Sequence, residues 1–308
     1  MSAAPPPSVF VMGAGVVGTA LAAGLAEAGV PVIGLHGRSA ETAGAAGHPV
    51  PRTIGEIPPA LSTADAILIA VRDDRIPDVA ARLAGEGRLR PQQVLLHGSG
   101  ANPARSILAP AVAHVRAVGT LHPLASFADT RAAIAGLRDI AFAIEGDPPA
   151  CDVAARLVQA LGARPLRLEA EDLALYHAGA VVASNYVVAL ADVARSLLVA
   201  AGVPTDQALP ALIPLMRSVV DNLAQAGLPG ALTGPVERGD VSSVQRHLRA
   251  LGERAPDLLE LYRVLGRDVL RLAGAKGKLD AAQAGRLRAL FAEAGSVHAP
   301  GGDPNPKA

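Results

Sequence analysis

Near the start of the chain, Gly13-Ala14-Gly15-Val16-Val17-Gly18 keeps the G-x-G-x-x-G spacing between an apolar run, Val9-Phe10-Val11, and a helix-forming stretch from Thr19 to Glu27. In that context each glycine has a separate job. The first makes a tight turn, the second lets backbone come close to a pyrophosphate, and the third lets helix and strand pack closely. The helix that follows presents free N–H groups and the positive end of its dipole to phosphate. Residues 13–18 therefore read as a dinucleotide-binding turn, and the chain must open with a strand-turn-helix unit.

Further short apolar runs follow at Val30–Leu35, Ala64–Val71, Gln93–His97, Val112–Val118, Ile140–Ile144 and Arg164–Leu168, most of them separated by helix-length segments. Such alternation predicts buried, mostly parallel strands covered by crossover helices. After residue 169 the strand signals stop. Helical patterns run over Glu171–Ala201 as one segment, then Thr205–Ala226, Val241–Leu251, Pro256–Ala273 and Leu279–Ala294. The expected fold is α/β: a Rossmann-type, mostly parallel sheet over 8–168, followed by an all-α domain over 169–295. The Gly/Pro-rich tail 296–308 reads as disordered.

Charge excludes some partners. Lys+Arg and Asp+Glu balance at 28 each, with no basic run, so the electrostatic footprint of a nucleic-acid binder is missing. A small-molecule substrate fits better. The single cysteine, Cys151, cannot pair within the chain, which suits a reducing cytoplasm and rules out a zinc site built on thiolates. No leader pattern opens the sequence, and charges or prolines are expected to interrupt the apolar helices before they reach membrane-spanning length. All three lysines, Lys276, Lys278 and Lys307, lie near the C-terminus, so residues 1–275 offer no lysine for catalysis.

Which dinucleotide is bound depends on the end of the second strand, where an acidic residue usually holds the ribose of NAD. Here the strand ends Leu35-His36-Gly37-Arg38-Ser39, with no carboxylate before Glu41. The Arg38 guanidinium and Ser39 hydroxyl suit a 2′-phosphate, which favours NADP(H) over NAD(H). Ser39 could equally cap a helix over 40–46. Val71, Arg72, His97 and Ser99 follow later strands and become cofactor liners, because open parallel sheets bind ligands at strand carboxyl ends. Asp73 and Asp74 read as turn or cap residues.

For the chemistry, His122 and His177 join His97 at sheet-end or interdomain positions. On a continuous helix His177 and Ser184 would lie within about 20° of each other, with Asn185 about 80° away. Imidazole, hydroxyl and carboxamide on a Val/Ala face need partners or a ligand. His177, His122 and Asn185 are thus the catalytic candidates, a histidine near its ordinary pKa of about 6.5 being a competent proton donor at neutral pH. Ser184 and the loop residues Thr233, Arg238 and Asp240 are substrate candidates, although Asp240 also suits the cap of the helix from Val241.

Taken in order, the glycine motif, His97-x-Ser-Gly, Leu121-His-Pro, Tyr176-His with Ser184-Asn-Tyr, and Leu232-Thr-Gly-Pro with Arg238-Gly-Asp resemble a family of oxidoreductases. That family joins a Rossmann-like domain to a helical domain known as domain of unknown function 2520. The resemblance spans nearly all the chain to about Leu251 and implies a nicotinamide cofactor without fixing a substrate. Members often carry glutamine where Ala125 stands. More distantly the layout is similar to ketopantoate reductases, 3-hydroxyisobutyrate-type dehydrogenases and pyrroline-5-carboxylate reductase. In the first two, a Lys-x-x-x-Asn pair serves the carbonyl. If Asn185 matches that asparagine, the lysine position falls on Val181, and His177 is the nearest substitute acid. The expected function is NADP(H)-dependent reduction of a small carbonyl or imine. The alternatives are a non-catalytic dinucleotide sensor or scaffold, and a ketopantoate-reductase-like enzyme without its lysine. Helices apolar on several faces point to a homodimer through the second domain.

Overall fold

The computed structural model describes residues 5–38 and 50–292. The fold begins with β1 (Val9–Met12), helix α1 (Val16–Glu27), β2 (Val32–Gly37), β3 (Arg52–Ile54), β4 (Ala66–Ile69), α2 (Ile76–Gly85), β5 (Val94–His97) and the short α3 (Ala104–Ile107). It continues through β6 (Ala117–Pro123), α4 (Thr130–Ala135), β7 (Ala141–Gly146), α5 (Pro148–Ala160) and β8 (Arg164–Arg167). These strands form one eight-stranded sheet in the order β3-β2-β1-β4-β5-β6-β7-β8. All neighbours are parallel except β6 and β7, where Leu121 faces Ile144 in an antiparallel pair. The Rossmann-type, mostly parallel sheet is therefore present.

Period-2 alternation sorts the strands into two cores. Val9 and Val11 of β1 and Ala66 and Leu68 of β4 pack on one face with Leu21, Leu25 and Leu157 from α1 and α5. Phe10, Met12, Ile67 and Ile69 point to the other face, where Ile76, Ala80 and Leu83 of α2 cover them. Every residue of β1, β4 and β5 is buried, which explains why these strands read as continuous apolar runs.

Two strand assignments need correction. Only the last two residues of 112–118 are strand: Ala109–His114 is a 3-10 turn, and β6 begins at Ala117 and runs on to include His122. Val112 and Val115 pack against the second core from outside the sheet, and a short apolar run cannot distinguish that from strand pairing. The short edge strand β3 gave no sequence signal.

Beyond β8 lie α6 (Leu173–Ala183), α7 (Asn185–Ala200), α8 (Thr205–Gly230), α9 (Val241–Arg254), α10 (Leu259–Lys276) and α11 (Ala281–Ala292). The expected single helix over 171–201 is broken at Ser184, whose backbone (φ −124°, ψ −76°) leaves helical geometry. Helix α8 departs from helical angles at Gly227 and Leu228, next to its expected end. The chain divides into two compact units, Met1–Ser184 and Asn185–Ala308, so α6 groups with the sheet. The helical unit has a small core of Val236, Val244, Leu248, Leu270, Ala273, Leu287 and Phe291. By length and composition the stretch Ala170–Ala200 could cross a membrane, so the expectation that every apolar helix is cut short fails there.

Candidate active site

In the first unit, the β1–α1 turn behaves as the glycine spacing requires. Gly13 has φ +121°, and a Cβ there would sit 2.3 Å from the Ala70 carbonyl oxygen. A Cβ on Gly18 would lie 1.9 Å from the Gly13 oxygen, whereas one on Gly15 would meet nothing within 4 Å. The first and third glycines are thus fixed by packing, while the second faces open space. Thr19 Oγ1 donates to the Ala14 carbonyl at 3.1 Å and ties the turn to the helix. No side chain caps the start of α1, so helix geometry leaves the first N–H groups of the helix without an intrahelical partner.

A pocket of about 400 Å³ opens beside this turn, between the carboxyl ends of β1 and β4. The strand order reverses there, which is where open α/β sheets bind ligands. Of the expected cofactor residues, Gly13, Ala14, Gly15, Arg38, Val71 and Arg72 line it, and Val16, Val17 and Gly18 form the adjoining helix turn. Ser39 and the helix expected over 40–46 lie outside the described residues. His36, Arg75 and Arg82 also line the pocket and were missed. Arg75 and Arg82 come from the segment after β4, and no motif marks that they fold back toward β2. His36 Nδ1 lies 3.0 Å from Thr53 Oγ1, and burial, followed by the Arg82 charge, holds its pKa below the ordinary histidine value. Arg72, Arg75 and Arg82 carry ion pairs with Asp74, Asp78 and Glu86, whereas Arg38 is exposed and has no ion pair among the described residues. The glycine cradle, open helix end and arginine-rich wall fit the pyrophosphate of a dinucleotide.

His97 and Ser99 are placed differently from the pocket liners. His97 is fully enclosed at the end of β5. The Ser99 N–H donates to its Nδ1 at 3.1 Å, and Thr120 Oγ1 lies 3.1 Å from its Nε2. Thr120 donates its hydroxyl proton to Glu145 at 2.8 Å, so it accepts from His97, which fixes the neutral Nε2–H tautomer. Burial pushes the His97 pKa down to about 4, outweighing Asp73, which acts in the opposite direction. Ser99 Oγ donates to Asp73 at 2.6 Å, and Asn102 braces both groups. Asp73 is therefore part of this network as well as of the turn.

At the adjoining end of β6, His122 meets two side chains of α6. Its Nδ1 lies 3.0 Å from the Tyr176 hydroxyl, and its ring centre is 6.1 Å from that of His177. The ring rests on Gly100, where a Cβ would come within 2.7 Å of it, so this glycine makes room for His122. Burial, and next the neighbouring His177, push the His122 pKa down to about 4. This corrects the expectation that His122 titrates near its ordinary value: at neutral pH it is uncharged. Burial pushes Tyr176 up to about 12, so its hydroxyl keeps its proton. Tyr176 is the site residue that the sequence reading left without a role.

The remaining candidates are Ser184, at the end of α6, and four residues of the second unit. Ser184 Oγ donates to the Ala180 carbonyl at 2.7 Å. The helix break at Ser184 removes the common face expected for His177, Ser184 and Asn185, and Asn185 opens α7 in the second unit. Thr233 and Arg238 are exposed on the loop before α9. Asp240 caps that helix, accepting from Ser243 N at 3.0 Å, and the Ser243 and Ser242 bonds draw its carboxyl down to about 2. In the same unit Lys276 and Lys278 bind Glu237 at 3.1 and 2.9 Å, which gives these lysines a structural job.

Residues 3–123 match the family of Rossmann-like domains and residues 140–269 match a domain of unknown function (DUF2520), so the chain combines the two. No curated protein matches it by sequence. Among solved structures, protein TM1727 of Thermotoga maritima is similar, with 23% identity and a TM-score of 0.67 over 87% of this chain and 99% of that one. Bacteroides fragilis BF3122, provisionally named an NADP oxidoreductase, gives 22% and 0.65 over 86% and 98%. An imine reductase from Pseudomonas sp. gives 20% and 0.58 over 92% and 99%. At these identities the likeness shows the fold.

Proposed function

We propose that this chain is an NADP(H)-dependent reductase of a small carbonyl or imine compound. One observation carries the reading: a neutral His122 hydrogen-bonded to a protonated Tyr176, with His177 alongside, sits on the sheet whose glycine turn lines the pocket. The fold likeness to an NADP-named oxidoreductase and to an imine reductase supports both the cofactor and the substrate class.

When bound, NADPH would supply a hydride to the substrate carbon. Gly13 to Gly18 would hold its pyrophosphate, with Arg38 at the 2′-phosphate. With His122 as the Nδ1–H tautomer, Nδ1 donates to Tyr176 Oη, and the phenolic O–H is free to face a substrate oxygen or nitrogen. Charge growing on that atom would draw the Tyr176 proton, the His122 Nδ1–H would stabilise the phenolate left behind, and a proton from solvent would restore the phenol. His177 is the second proton source and borders the same space. Asn185, Ser184, Thr233 and Arg238 stay as proposed substrate contacts. No lysine is required.

The proposal includes a homodimer working in a reducing cytoplasm. Helix α7 has no buried residue, and Val188 (71% exposed) and Val220 (65%) leave α7 and α8 with apolar surface. A second copy would cover it. Sedimentation should show a dimer at micromolar concentration, whereas a monomer that partitions into lipid vesicles would overturn this part.

The test of the reaction is Tyr176→Phe and His177→Gln, assayed with NADPH on a panel of carbonyl and imine compounds. Each should lower turnover by about 100-fold while NADPH still binds. Unchanged turnover in both would remove the pair from the mechanism. Tight NADPH binding with no turnover by the parent protein would favour a non-catalytic sensor.

A further inference from the structure

The second unit carries a cavity of its own, about 230 Å³, where the end of α7 meets α9 and the start of α10. On α9, His247, Ala250, Leu251 and Arg254 recur at the i, i+3, i+4, i+7 spacing, which turns all four to one side of the helix. That side lines the cavity, together with Leu197 of α7 and Tyr262 of α10. Every lining residue belongs to the second unit, so the cavity is separate from the one beside Gly13. It suits a small ligand, since drug-sized ligands take about 300–1,000 Å³.

The lining is divided by chemistry. Leu197, Ala250 and Leu251 give an apolar wall, whereas His247, Tyr262 and Arg254 bring polar groups. His247 Nδ1 lies 2.8 Å from the Tyr262 hydroxyl, with the two rings edge-on. Burial raises the Tyr262 pKa, so the phenol keeps its proton at neutral pH. If that hydroxyl donates to Nδ1, the imidazole retains an Nε2–H; if Nδ1–H donates, the phenol retains its O–H. The pair thus keeps one hydrogen-bond donor in either arrangement. Arg254 donates from Nη2 to the Ala200 carbonyl, which fixes the guanidinium at the end of α7 and takes only part of its N–H fork. No carboxylate lines the cavity among the described residues.

We propose that this cavity binds a small monocarboxylate with a short apolar tail. The tail lies against Leu197, Ala250 and Leu251, and the carboxylate meets Arg254 and the donor left by the His247 and Tyr262 pair. One guanidinium balances one negative charge, and its planar fork matches the two oxygens of a carboxylate. Nothing in the proposal depends on the nucleotide reading.

The test titrates sodium hexanoate into the full-length protein without NADPH, against hexanol and against sodium chloride at matched ionic strength, and follows the ring NMR signals of His247 and Tyr262. Hexanoate should move both rings to saturation, and hexanol should bind at least about tenfold more weakly because it lacks the charge. Arg254→Gln keeps a donor for the Ala200 carbonyl but loses the cation, and should weaken hexanoate by about tenfold or more. Ala250→Leu fills the cavity from an exposed helix position, so it should abolish binding with little change in melting. Equal binding of hexanol, undiminished binding by Arg254→Gln, or no saturable movement of these rings would overturn the proposal. So would movement confined to His122, which would put hexanoate in the first unit. Ring movement that follows protein concentration instead of hexanoate would also overturn it, because a second copy would then cover the cavity. Should Ala250→Leu fail to fold, Arg254→Gln and the hexanol comparison still decide the question.

Discussion

The two compact units close themselves to different degrees. In the first, helices cover both faces of the sheet, and its enclosed polar groups satisfy one another through the His97, Thr120 and Glu145 chain. In the second, α7 buries nothing and α8 buries only Ala208, while Nε and Nη1 of Arg263 sit enclosed without a partner among the described residues. A sheet with crossover helices completes its core from local sequence. A set of apolar helices leaves open faces until something else arrives. The first unit is therefore closed on itself, and the second leaves apolar helix faces exposed.

The most damaging way to break this contrast is from inside the first unit. A Cβ at Gly18 would overlap the Gly13 carbonyl oxygen, so Gly18→Ala should cost more than about 3 kcal/mol, read by denaturant unfolding. Gly15→Ala is the control: its Cβ meets nothing, so melting should hold while NADPH affinity falls. If Gly15→Ala destabilises as much as Gly18→Ala, the second glycine is there for packing and not for a ligand.

Acid tests the same closure. The folded pKa of His97 is about 4 against an ordinary 6.5, so between those values the unfolded chain binds the proton and the folded chain does not. Stability must then fall as pH drops from about 6.5 toward 4, by about 3 kcal/mol for this residue, and stay flat in this respect above 6.5. His122 adds a parallel loss in the same window. His97→Gln should flatten part of the curve. A parent protein with equal stability at both ends of that window would contradict the neutral, enclosed tautomer.

How much of this was legible in the sequence follows from how local each cause is. Gly13 to Gly18 act on their own turn and on the neighbouring strand, and spacing alone exposes them. The sheet was readable because burial on both faces makes continuous apolar runs, apart from the short edge strand β3, which carries no such run, and β6, where a 3-10 turn carried the same apolar signature. Tyr176 was quoted only as a neighbour of His177, because its meaning lies in a partner 54 residues away. Arg75 and Arg82 belong to no motif, and only the crossover places them on the pocket wall. The break at Ser184 leaves no mark in an Ala/Val-rich stretch with no proline or glycine at the join. Arg263 could not be singled out, since a sequence shows a charge but not that its surroundings fail to pair it.

Smaller effects probe the open unit. Val188→Asp and Val220→Asp place charge on exposed positions, so the single chain should keep its melting temperature. If a second copy covers that face, the dimer should weaken by about 10- to 100-fold, measured by sedimentation. Loss of folding in dilute protein would mean that these side chains support their own unit, and the contrast between a closed and an open unit would fail.

The smallest expected change returns to the first unit, at the pocket arginine that has no ion pair among the described residues. Arg72, Arg75 and Arg82 are already engaged by carboxylates, so Arg38 is the freest to meet a 2′-phosphate. Arg38→Ser should lower NADPH affinity by about tenfold and leave NADH affinity nearly unchanged, since one exposed charge-assisted contact contributes on the order of 1–2 kcal/mol. Stability should not move. Equal loss for both cofactors would assign Arg38 to the shared part of the dinucleotide. No loss for either would shift the 2′-phosphate to Arg75 or Arg82, where release from Asp78 or Glu86 would have to accompany binding.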